Sequence, residues 1–173
     1  MAASSGGGRA RTLRRIRICL GILIAGLVVS GVTAFPLREE LHLAAQTLAG
    51  TPLPSILPDA VGWVDRVAAA LADTGARYPF IAYGTDWLAF AHLVIAVVFI
   101  GPLIDPVRNI WVIQFGVIAC AGIVPLALIA GSIRGIPLGW QLIDMSFGIL
   151  GVIPVAIAWR LTRRLERMPL DAH

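Results

Sequence analysis

Four uninterrupted apolar runs constrain this chain more than anything else in it: Ile18–Phe35, Trp87–Ile104, Ile110–Gly131 and Leu138–Trp159. A helix rises about 1.5 Å per residue, so each run is long enough to cross the roughly 30 Å apolar core of a bilayer. The last three sit close together, with only Asp105-Pro106-Val107-Arg108-Asn109 joining the second run to the third. Hydrophobic residues make up 58% of the 173 and charged residues 14%, far from the balance of a soluble globular domain. The sequence reads as an all-α integral membrane protein. The expected architecture is a four-transmembrane-helix bundle, N-in/C-in, with an outer loop of one or two amphipathic helices.

The charges orient this reading. The formal net charge is +4, and all fourteen basic residues are Arg. Ten of them flank one side of the expected membrane: Arg9, Arg11, Arg14, Arg15, Arg17, Arg108, Arg160, Arg163, Arg164 and Arg167. Arg38, Arg66, Arg77 and Arg134 fall on the other. Such asymmetry follows the positive-inside rule and puts both termini in the cytoplasm of a cell whose inner (plasma) membrane holds the protein. Basic residues so placed serve topology and attraction to anionic lipid heads, not nucleic acid. The expected partners are therefore the lipid bilayer and either other membrane subunits or further copies of the chain.

Taken in order, residues 1–15 read as a flexible basic tail, and residues 16–160 as one membrane domain with spans at about 16–36, 86–104, 107–131 and 137–160. Residues 161–173 form a second tail. Val32-Thr33-Ala34 after a basic, then apolar, stretch also resembles a signal cleavage site, but the run is longer than most signal cores and retention as a span is expected. Gly21/Ala25 and Gly26/Ser30 are small residues four apart, the spacing that lets helix backbones approach in lipid. The outer loop, 37–84, holds apolar positions at helical spacing from Leu37 to Leu48 and from Val61 to Leu71, with Gly50, Pro52 and Gly75 as stops. Thr85 is expected to cap the second span, and Asp105 with Pro106 to start the third. Pro125 interrupts the third span and frees a carbonyl one turn earlier.

Most polar residues are explained by helix ends. His92 and Asp144 are not: each lies seven residues inside its helix, roughly 10 Å below the outer end. His92 shares a face with Ala89 and Ala96, and Asp144 with Gln141, Gly148 and Gly151, so both are expected to face protein and not lipid. Ser30 lies at a similar depth, and Arg134 in the outer loop could reach the mouth to pair with Asp144 or Asp86. The expected site is an outward-facing polar pocket of Ser30, His92, Arg134, Gln141 and Asp144. His92 and Asp144 are the candidates for passing a proton, and the five together for holding a small polar ligand. The bland alternative is a hydrogen bond that fixes helix register.

One imidazole and scattered carboxylates give no metal-ligand spacing, and Cys19 and Cys120 form no Cys-x-x-Cys. No nucleotide, hydrolase or metalloprotease motif is present, and no cofactor is indicated. Three functions fit these residues. The chain is an accessory or scaffolding subunit of a membrane complex, a small membrane enzyme or proton-linked protein working through His92 and Asp144, or an oligomeric transporter or channel. Size, small-residue helix faces and the missing catalytic motif favour the first. The third lacks the inverted repeat and paired broken helices of its class.

Overall fold

A computed structural model describes residues 3–168, which are all-helical with no strand among them. Four stretches are long and apolar enough to cross a membrane: Gly7–Ala34, Pro79–Ile104, Ile110–Ile133 and Leu138–Glu166. Only 17% to 22% of each is buried within the protein, which leaves most of its apolar surface for lipid or for other helices. The elements are α1 (Ala3–Ala34), α2 (Leu37–Ala49), α3 (Leu53–Ile56), α4 (Pro58–Arg77), α5 (Ala82–Val98), α6 (Ile100–Ile104), α7 (Ile110–Ile133) and α8 (Leu138–Glu166). A 3-10 turn at Pro79–Ile81 leads into α5.

The helices outrun their expected ends. Helix α1 begins at Ala3, where the Gly/Ser-rich sequence suggests a flexible tail, and α8 continues past Trp159 to Glu166. The two extensions meet: the Arg9 guanidinium Nη1 donates to the Leu165 carbonyl at 3.2 Å. Two residues expected to cap a span do not start its helix. Thr85 lies inside α5, because the turn at Pro79–Ile81 starts the helix at Ala82. Asp105 caps a single turn, its Oδ1 accepting the Arg108 N–H at 3.1 Å, while Asn109 occupies the N-cap of α7.

Contacts divide the chain into two compact units, one made of the segments up to Gly26 and from Ile95 onward, the other of Leu27–Val94. The first is built on the α7–α8 pair. Glycines make that pair close: a Cβ on Gly148 would lie 2.6 Å from the Cys120 carbonyl oxygen, and one on Gly116 would lie 3.1 Å from Val155 Cγ1. Phe99, Ile113, Val155, Ala158 and Leu165 are fully or almost fully buried here, with Ile16 and Leu20 of α1. The turn from α6 to α7 is pinned by Asn109, whose Nδ2 donates to the Gly101 and Asp105 carbonyls at 3.2 and 2.9 Å. Pro125 and Pro154 sit inside α7 and α8 without ending them.

In the second unit α2, α3 and α4 pack on one another, with Val61 and Val64 of α4 buried. Helix α1 crosses α5 at Gly31, where a Cβ would lie 3.0 Å from the Ala89 carbonyl oxygen and from Leu93. Small residues at 31 and 89 permit that approach, the role expected of such residues where helices meet in lipid.

Candidate functional site

The five pocket residues fall into two groups, one in each unit. Arg134, Gln141 and Asp144 surround the turn between α7 and α8. Arg134 is the C-cap of α7, and Gly135 follows with φ +68. The Ile136 N–H donates to the Gly131 carbonyl at 2.9 Å and the Gly135 N–H to the Ser132 carbonyl at 3.3 Å. This 6→1 and 5→2 pair is the Schellman closure of a helix, which needs a left-handed residue at Gly135. Gln141, one turn into α8, clamps the turn: its Nε2 donates to the Ile136 carbonyl at 2.8 Å. The Gln141 side chain fills the space a Cβ on Gly131 would need, at 2.8 Å.

Gln141 is only 4% exposed, and its Oε1 is buried with no hydrogen-bond partner. A buried acceptor left open costs about 1–3 kcal/mol, so a donor placed there would bind with that advantage. One turn further on, the half-buried Asp144 shares a recess of about 280 Å³ with Arg134, Ala127, Ala130 and Ile136. Within this unit Asp144 accepts no hydrogen bond and forms no ion pair with Arg134. The recess is therefore lined by a carboxyl group and a guanidinium that form no ion pair with each other among the described residues.

Ser30 and His92 lie where α1 crosses α5. His92 Nδ1 is 2.8 Å from the Leu88 carbonyl. A carbonyl can only accept, so the proton sits on Nδ1, which leaves Nε2 of a neutral ring as an acceptor. His92 thus satisfies one nitrogen on its own helix. The Ser30 side chain is exposed and forms no hydrogen bond within its unit; its carbonyl accepts from Thr33 Oγ1 at 3.4 Å.

Two further recesses have no counterpart in the sequence reading. In the second unit, Arg38, Glu39, Thr85 and Asp86 line a space of about 310 Å³ together with Phe35, Leu71 and Tyr78. In the first, Arg9, Arg17 and Arg108 border one of about 730 Å³. Both gather residues far apart in the chain, and no local spacing marks them. Among the described residues no group of three or more His, Cys, Asp or Glu could hold a metal ion. No protein-family model, curated protein or solved structure matches the chain.

Proposed function

We propose that the protein is a small multi-pass subunit of a bacterial plasma-membrane assembly, which packs against partner helices through the exposed small-residue faces of α1. One observation carries this reading. A Cβ on Gly21 or Gly26 would meet nothing within 4 Å, whereas Gly31, Gly116, Gly131, Gly148 and Gly151 each pack on a neighbour. Glycine costs helix stability wherever it brings no close contact. Gly21/Ala25 and Gly26/Ser30 lie on either side of the face that Ile16, Leu20 and Gly31 bury, the first pair about a third of a turn away and the second about a quarter. A second helix is the natural occupant of such a face.

The arginine-rich end is cytoplasmic in this reading, with both termini inside and α2–α4 outside. The support is the positive-inside asymmetry together with the meeting of arginines from α1 and from the α6–α7 turn beside the end of α8, at one end of the first unit. Purification of the tagged protein from its own membrane in a mild detergent tests the assembly. A second membrane protein at fixed stoichiometry is the expected result. A clean monomer or homo-oligomer would remove the reading.

A second reading has its own observation, Asp144 and Arg134 lining one recess without an ion pair between them. On that reading the chain is a proton-linked or ligand-binding membrane protein, and an ionisable residue inside a span is a functional candidate by default. Asp144→Asn is then expected to abolish the cellular phenotype of the gene while the amount of protein in the membrane stays unchanged. A normal phenotype in that variant would discard it.

A further inference from the structure

We propose that the recess at the arginine-rich end of the first unit holds the phosphate of an anionic phospholipid headgroup. The inference rests on the reading of the four apolar helices as membrane spans, and not on the partner reading. The recess is bordered by three separate pieces of chain: α1, the α6–α7 turn and the end of α8. Its volume of about 730 Å³ lies in the range of small-molecule sites, so it has room for a headgroup and not only for an ion.

Its arginines are held in place. Arg9 Nη1 donates to the Leu165 carbonyl and Arg17 Nε to the Leu103 carbonyl, each at 3.2 Å. A guanidinium has five N–H donors in a fixed fork, so each of these keeps donors free after the anchoring bond is made. Arg108 makes no side-chain hydrogen bond among the described residues; only its backbone N–H is engaged, by Asp105. Two carboxylates also border it, Asp105, which accepts that N–H, and Glu166, 3.5 Å from Arg163, so the three arginines outnumber the acids. What is left over is a set of cationic donors, and a phosphate is the anion that matches their geometry.

The walls favour a lipid over a free anion. Leu13, Ile104 and Leu165 face the same recess and belong to α1, α6 and α8, three of the elements that continue into the apolar spans. A phosphate bound among the arginines would carry its acyl chains directly onto those apolar helix surfaces. Soluble phosphate gains nothing from such walls.

Native mass spectrometry of the detergent-purified full chain, titrated with phosphatidylglycerol, with phosphatidylcholine of the same chains and with inorganic phosphate, tests the assignment. Phosphatidylglycerol is expected to bind at least about five-fold more tightly than phosphatidylcholine and to resist millimolar phosphate. Losing a charge-assisted hydrogen bond to the bound phosphate costs about ten-fold, so Arg108→Gln should weaken phosphatidylglycerol by about that factor, and the Arg9→Gln/Arg108→Gln pair by more. Arg14→Gln/Arg160→Gln removes the same charge outside the recess and should change binding less than two-fold. Equal losses in both pairs would overturn the site in favour of diffuse charge. Equal binding of the two lipids, or displacement by inorganic phosphate, would overturn the lipid assignment. Membrane extraction that needs no detergent would instead remove the span reading on which the inference rests.

Discussion

Single residues decide how the α7–α8 turn closes. Gly135 sits at φ +68, a region an L side chain enters at a cost of about 1–2 kcal/mol. Gly135→Ala is therefore expected to lower the melting temperature in detergent by at least a few degrees, and Gly135→Asn by less, because Asn tolerates the left-handed region. Equal stability of the glycine and alanine proteins would contradict the closure described here. The sequence contains this signal, a glycine after an apolar helix with a proline two residues later, although read locally it marks only a short loop. The clamp by Gln141 is not legible in the same way, since nothing local says that an amide one turn into α8 reaches back to the Ile136 carbonyl. Local signals also misled. Thr85 and Asp105 have the chemistry of caps, but a 3-10 turn and Asn109 begin those helices instead.

At the scale of elements, the spans were legible and their contacts only partly so. A helix in lipid must satisfy its own backbone, and an unbroken apolar run admits few other structures. The face of Gly148 and Gly151 beneath Asp144 was expected to meet protein, and it packs on α7 at Cys120 and Ile123. The consequence is measurable. On Gly148 a Cβ would strike a backbone carbonyl at 2.6 Å, which no rotamer change relieves, so Gly148→Ala should cost about 1–3 kcal/mol. Gly122→Ala on the neighbouring helix meets nothing within 4 Å and is expected to hold or raise stability, by helix propensity alone. Thermal unfolding of the two variants in one detergent checks the contrast. The candidate pocket was less accessible to the sequence. Depth along a helix gave Ser30, His92 and Asp144 a common level, yet depth does not say which residues share a recess. Arg134 and Asp144 do, while Ser30 and His92 belong to the other unit.

At the scale of the whole molecule, α1 is proposed to carry a partner. Its buried face lies inside the protein, as Ile16 and Leu20 at 0% exposure show, while Gly21 and Gly26 have no neighbour that needs them small and Ala25 is exposed. Close helix packing in lipid depends on such residues, since the hydrophobic effect does not drive helices together there. The same economy of burial, about a fifth of each span, runs through all four apolar helices and leaves ample surface for an assembly. Photo-cross-linking in the native membrane, with the reactive side chain placed at Ala25 and, as a comparison, at the buried Leu20, tests this most directly. A discrete cross-linked product with a second membrane protein is expected from Ala25, and none from Leu20. Lipid adducts alone from Ala25, in a protein that still folds and inserts, would contradict it.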